Sequence, residues 1–316
     1  MSSSREQDRL PIILLAGPTA VGKTGLSLDL AARLGTEIVN ADSMQVYRFM
    51  DIGTAKPVPE ERARVVHHLL DVVNPDESFD ASRYLDLARP VLAKLHARGL
   101  IPLVVGGTGL YMKVLTRGIC EGAPGDAETK ERLLLEEREG GLAALHGELA
   151  RVDPAAAGRI HPHDRQRILR ALEVYRLTGT PLSEWQEQHR FSQTAYRAVK
   201  IFLFKERDEI YDQIDRRVHA MMEQGFLEEV RRLFDMGYRA DLKPMQSLGY
   251  KQLAAVLEGR LALDEAVVQI QRETRRYAKR QMTWFRGDPE FRWIRAGDRD
   301  AVLDRVLKAV HEQAFA

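Results

Sequence analysis

Short apolar runs alternate with amphipathic stretches through the first third of the chain. Ile12–Leu15 is four apolar residues in a row, too short for a helix and suited to a strand buried on both faces of a parallel sheet. A helix is expected from Gly25 through Leu26, Leu28, Leu30 and Leu34. Glu37–Asn40 predicts a second short strand. Ser82–Arg98 keeps Tyr84, Leu85, Ala88, Val91, Leu92 and Leu95 at helical spacing, and Gly99 suits its stop. Ile101–Val105 is the next buried strand. Strands alternating with helices predict an α/β fold on a parallel sheet.

The texture changes near Gly122. Helical segments at Ala127–Glu139, Leu142–Ala150, Asp164–Leu177 and Pro181–His189 follow one another with no strong strand between them. Val199–Phe204 returns to strand, Asp208–Phe234 forms one or two helices, and Lys251–Leu257 forms another after the turn Met245–Tyr250. Phe291–Ile294 adds a final strand. The expected organisation is a core of residues 10–122 and 198–316, with a helical insertion at 123–197.

Between the first strand and helix lies Gly17-Pro18-Thr19-Ala20-Val21-Gly22-Lys23-Thr24, which fits GxxxxGK[ST]. Its glycines let backbone N–H groups converge on phosphate oxygens. Lys23 adds a cation, Thr24 a hydroxyl for magnesium, and the helix N-terminus a favourable dipole. The motif indicates phosphate or diphosphate without naming a reaction. Asp42 follows the second strand, where an α/β sheet exposes its functional ends. A carboxylate there suits either the site or a helix N-cap. Gly106-Gly107-Thr108-Gly109 suits either a ligand-facing turn or an ordinary strand-to-helix turn. His67 and His68 point apart on any regular element, and His161, His163 and Asp164 lack a further nearby ligand, so no metal is expected at either.

Charge alters this picture only locally. The chain has 47 basic and 46 acidic side chains in 316 residues, so a nucleic-acid partner needs basic patches. One such patch is Arg272–Arg286, with six basic residues, one acid and interleaved Tyr277, Trp284 and Phe285. Arg272, Arg276 and Arg280 share a helix face. Arg165, Arg167 and Arg170 give the insertion a second basic surface. Arg217, among apolar Ile214 and Val218, reads as either a surface charge or a site cation. A single cysteine, Cys120, precludes an internal disulfide. No run has the length of a membrane span, and the first residues lack the apolar core of a signal peptide, so a cytoplasmic protein is expected.

Taken in order, GPTAVGKT at 17–24, NADSMQVYR at 40–48, DIGTAKP at 51–57, GGTGLY at 106–111, HPHDRQRILRALEVY at 161–175, SLGYKQ at 247–252 and YAKRQMTWFR at 277–286 resemble the bacterial tRNA dimethylallyltransferases. The resemblance implies a P-loop NTPase-like parallel sheet flanked by helices, with a helical insertion domain. It implies transfer of a dimethylallyl group from dimethylallyl diphosphate to the exocyclic amine of the adenosine 3′-adjacent to the anticodon, in tRNAs reading codons that start with U. Carried onto this chain, Asp42, Thr108 and Arg217 are catalytic, Gly17–Thr24 cradles the diphosphate, and Thr24 binds Mg2+. Contacts to the tRNA anticodon stem-loop are implied for Asp42, Ser43, Met44, Gln45, Thr108, Lys130, Gln166, Arg167, Ile168, Leu169, Arg170, Arg276 and Arg280, with Gln246–Gln252 on the RNA side. A monomer is expected. A P-loop kinase of small molecules or nucleotides would use the same loop on ATP, but it leaves the two basic surfaces without a task.

Overall fold

The computed structural model describes residues 9–118, 125–189 and 196–314. Cys120 and residues 121–124 lie outside them. Two compact units emerge: Met1–Thr116 with Ala195–Ala316, and Arg117–Thr194.

The larger unit is a six-stranded, wholly parallel sheet in the order β3-β2-β4-β1-β5-β6. Its strands are β1 (Leu10–Ala16), β2 (Ile38–Asn40), β3 (His67–His68), β4 (Leu103–Gly106), β5 (Tyr196–Phe204) and β6 (Arg292–Arg295). Ile12 to Ala16 have no exposed surface, because β1 sits between β4 and β5 with helices on both faces. That is why the run is continuously apolar instead of alternating. Helices α1 (Lys23–Leu34), α2 (Pro59–Arg64), α3 (Ala81–Ala97) and α4 (Gly109–Arg117) occupy the first half of the unit. In the second half are α9 (Arg207–Glu223), α10 (Phe226–Asp235), α11 (Tyr250–Leu257), α12 (Leu263–Arg286) and α13 (Arg299–Ala314). The expected single-or-double helix at 208–234 is two, parted at Gly225, whose φ of 91° ends the first. Helix α13 was not anticipated; its buried Val302, Leu303, Val306, Ala309 and Val310 nevertheless keep helical spacing.

The smaller unit is all helical: α5 (Ala127–Val152), α6 (Pro154–Ala157), α7 (Arg165–Thr178) and α8 (Leu182–His189). Helix α5 breaks at Gly141, where φ is 79° and ψ 162°, matching the two helices read from sequence. Leu133, Leu145, Leu149, Ala156, Ile168, Leu169 and Leu172 form its core. Buried Asp153 joins α6 to α8, accepting from Ala156 N–H at 2.8 Å, Ser183 N–H at 2.9 Å and Ser183 Oγ at 2.7 Å. No helix among the described residues is long and apolar enough to cross a membrane.

Candidate active site

All strands are parallel, so the loops after β1, β2 and β4 leave from the same edge of the sheet and converge. Gly106 shows how closely: a Cβ there would collide with the Ala41 carbonyl. Thr108 completes the junction, donating its N–H to Ala41 O at 3.1 Å and accepting from Ser43 N–H on Oγ1 at 2.9 Å. Thr108 therefore holds the Asp42–Ser43 turn in place.

The first of these loops runs from β1 to α1. Its helix has no acidic residue in the first turn, which leaves the dipole free for an anion. Lys23 Nζ donates to Gly17 O and Pro18 O, both at 2.8 Å. Burial lowers the ammonium pKa to about 7; Asp42 pulls it back up, and Arg217 lowers it further. A cation so short of compensating charge is primed to take a polyanion.

Asp42 lines the same cavity as Lys23 and is near enough for its charge to raise the Lys23 pKa. Its Oδ1 accepts from Met44 N–H at 2.8 Å and Gln45 N–H at 3.4 Å, closing a turn. Residues 42–49 contain no helix, so the N-cap alternative is corrected: Asp42 caps a turn. Its second oxygen accepts no hydrogen bond among the described residues, which leaves a lone pair for chemistry. Asn40 fixes the Asp42 backbone, accepting its N–H at 3.1 Å and donating to its carbonyl at 3.2 Å. Arg217, on α9, makes no ion pair among the described residues. Burial lowers its pKa and the Asp42 charge raises it, so the two groups face one field. Tyr277, on α12, also senses Asp42: burial first, and then that charge, hold its hydroxyl protonated.

One cavity of about 1070 Å³ joins these groups. Residues 19–24 of the loop, Asp42, Ser43, Met44, Gln45, Arg217, Tyr277 and Arg280 line it, as do Ser247 to Tyr250 of the SLGYKQ segment. Arg280 lies over the Tyr277 ring, 5.7 Å from its centroid. Arg276, on the same helix, is paired with Glu273 at 2.6 Å and does not line the cavity. Arg275 is paired with Asp215. The basic run is thus less one-sided in space than in sequence.

In the smaller unit, Lys130, Gln166 and Arg167 are exposed. Arg167 pairs with Asp164 at 3.4 Å and Arg170 with Glu173 at 2.6 Å. The exposed Arg167 pair is weak enough to be exchanged for phosphate, whereas Arg170 is held by a buried carboxylate. Two expectations fail here. Ile168 and Leu169 are 0% and 7% exposed and belong to the unit's core, so their side chains do not meet RNA. They fall on the inward face of α7, between the outward arginines.

Sequence reasoning gave Gln281 no role, yet it ties the two glycine-rich turns together. Its Oε1 accepts from Thr19 N–H at 2.9 Å and its Nε2 donates to Gly107 O at 3.0 Å. The available signal was a polar residue in the inward stripe Ala266, Ile270, Ala278, Gln281 and Phe285. Gln281→Ala removes both bonds, each worth about 1 kcal/mol. It is expected to raise the KM for the anionic substrate about 10-fold, checked by steady-state kinetics; an unchanged KM would contradict this role.

Among the described residues, no three His, Cys, Asp or Glu side chains are grouped to hold a metal. His67 Nδ1 meets Val65 O at 2.8 Å and His68 Nε2 meets Glu37 at 2.7 Å, so the two rings diverge. At the loop, Thr24, which carries one side-chain oxygen, lines the cavity. That donor set fits Mg2+ held chiefly by water and substrate phosphates rather than by a protein cage.

A family model described as IPP transferase matches residues 45–288, more than half of the chain. A tRNA dimethylallyltransferase of Syntrophobacter fumaroxidans is 62% identical over 299 residues, covering 95% of this chain and 87% of the relative. The crystal structure of a full-length tRNA isopentenylpyrophosphate transferase from Bacillus halodurans has a TM-score of 0.71 and 40% identity, covering 96% of this chain and 98% of that one. A eukaryotic dimethylallyltransferase acting on tRNA has a TM-score of 0.76 and 27% identity, covering 97% of this chain and 77% of that one.

Proposed function

We infer the roles of the site residues from one premise: this chain belongs to the IPP transferase family and is a tRNA dimethylallyltransferase, a prenyltransferase that moves a dimethylallyl group onto tRNA. The proposed donor is dimethylallyl diphosphate. The proposed acceptor is the exocyclic N6 of the adenosine 3′-adjacent to the anticodon, in tRNAs reading codons that start with U, and the product is N6-isopentenyladenosine. The observation that carries this reading is the opposition of one carboxylate, Asp42, to two cations, Lys23 and Arg217, in a single cavity.

An adenine amine is a weak nucleophile because its lone pair is delocalised into the ring. In the proposed step N6 bonds to C1 of the dimethylallyl group, the C1–O bond breaks, and diphosphate departs with the electron pair. Asp42 accepts the N6 proton on the oxygen its turn leaves free. The N–H groups of Gly22, Lys23 and Thr24 in the Gly17–Thr24 loop, the Lys23 ammonium and Arg217 stabilise the charge growing on the diphosphate. Mg2+, bound through Thr24, water and the diphosphate, would neutralise further charge there. Thr108 keeps Asp42 aligned through Ser43. The target base must leave its stack to enter the cavity, with Ser43, Met44 and Gln45 beside it and Arg280 at the RNA side. Lys130, Gln166, Arg167, Arg170 and Arg276 are assigned to the anticodon stem-loop backbone. A cytoplasmic, monomeric enzyme is part of the same proposal.

Incubation with unmodified tRNA and either prenyl-labelled dimethylallyl diphosphate or γ-labelled ATP tests the donor. Label is expected in tRNA from the prenyl donor alone. Label from ATP would favour the kinase reading.

Lys23 gives a proton-linked signature. With its pKa lowered from 10.5 to about 7, the free protein holds this amine largely neutral at pH 8. Diphosphate favours the charged form, so binding should take up a proton. Calorimetry in buffers of different ionisation enthalpy is expected to show that uptake with inorganic diphosphate at pH 8, and little at pH 6. Between about 7 and 10.5 the unfolded chain binds the extra proton, so this group makes stability rise with pH across that window.

A further inference from the structure

Two of the sequence segments, DIGTAKP at 51–57 and SLGYKQ at 247–252, contribute to the lining of the cavity but carry no chemical step above. They meet at one side chain. Glu229, on α10, is 2% exposed. Its Oε2 accepts from the N–H groups of Asp51 at 2.9 Å and Ile52 at 2.7 Å. Its Oε1 accepts from Gly53 N–H at 3.1 Å and from the Tyr250 hydroxyl at 2.6 Å. A buried carboxylate survives in a core only with its lone pairs met in this way. Burial, and then the Glu229 charge, keep the Tyr250 hydroxyl protonated and therefore a donor. Gly53 is required at the clamp, since a Cβ would collide with the rings of Phe226 and Tyr250.

The clamp leads to Asp42. Immediately after the clamped amides, the carbonyls of Thr54 and Ala55 each accept from Gln45 Nε2 at 3.1 Å. The N–H groups of Gln45 and Met44 in turn donate to Asp42 Oδ1. One continuous path of hydrogen bonds and backbone thus joins Glu229 to the carboxylate, all within the larger unit.

We propose that Glu229 is a positioning residue for Asp42: by clamping residues 51–53 against Tyr250 it fixes Gln45, which sets the orientation of the Asp42 carboxylate. The proposal rests on the reading of Asp42 as proton acceptor. Glu229 touches no substrate; it acts through the loop. A small displacement of a reacting group is enough to cost on the order of 100-fold in rate.

The test is single-turnover prenyl transfer to unmodified tRNA by E229Q, E229D, Y250F, D42N and the double variant D42N/E229Q, with thermal melts and tRNA affinity for each. E229Q places an N–H₂ group against backbone N–H donors. It is expected to lower the rate on the order of 100-fold per folded molecule, with tRNA affinity unchanged. E229D, which keeps the carboxylate, should recover part of that loss. Y250F, which removes one donor of four, should lose about 5-fold. The double variant should be no slower than D42N alone, because the clamp has nothing left to align. A full E229Q rate per folded molecule, a Y250F rate equal to wild type, or a further 100-fold loss in the double variant would overturn the proposal. D42N turning over like wild type would instead remove the Asp42 reading itself.

Discussion

Asp42→Asn is expected to lower prenyl transfer about 1000-fold, within the range for a positioned proton acceptor, while tRNA affinity stays nearly unchanged. The substitution preserves the turn, because an amide oxygen can still accept from Met44 and Gln45 N–H. It removes the charge that Lys23, Arg217 and Tyr277 all sense. Single-turnover rates with saturating tRNA separate the chemical step from binding. A variant that transfers at the wild-type rate would take Asp42 out of the base role. A variant that loses tRNA binding and transfer together would make it an RNA contact instead.

Lys23→Ala is expected to cost on the order of 100-fold in kcat/KM for the diphosphate donor, the scale of one lost oxyanion stabiliser. The ammonium donates to two of the loop's own carbonyls, and its lowered pKa marks a cation that a polyanion would relieve. The variant should also lose the proton uptake seen by calorimetry at pH 8. The readout that separates this role from a structural one is the donor KM against tRNA affinity: only the first should change. Weakened tRNA affinity with an unchanged donor KM would contradict the cradle assignment.

The sequence made the phosphate loop legible because its chemistry is local. Strand, glycine turn and helix follow one another from Leu10 to Leu34, and the spacing of Gly17, Gly22 and Lys23 reports their joint task. The break at Gly141 and the sheet residues of β1, β4 and β5 were legible for the same reason. What escaped notice depends on partners far along the chain. Gln281 meets Thr19 across 262 positions, and Glu229 meets Asp51 across 178. Gln281 is marked locally only as a polar residue in an inward stripe, and no local feature names its partners or those of Glu229. Ile168 and Leu169 differ from expectation for a related reason: a continuous stretch of sequence alternates faces once it is wound into α7. Helix α13 was missed although its apolar positions are periodic; its N-terminal Arg299 donates to Gly25 O at 2.7 Å, reaching the first turn after the phosphate loop.

One cavity serves two jobs in the proposed mechanism, with cations for the leaving diphosphate and a carboxylate for the incoming base. A crystal structure of the protein with Mg2+, an unreactive dimethylallyl diphosphate analogue and an unmodified anticodon stem-loop tests that division most directly. Diphosphate oxygens are expected within hydrogen-bond reach of Lys23 Nζ, the Gly22 and Thr24 N–H groups and Arg217, with a flipped adenine N6 against the free Asp42 oxygen. A diphosphate bound away from residues 17–24, or an adenine whose N6 faces another acceptor while Asp42 stays solvated, would contradict it.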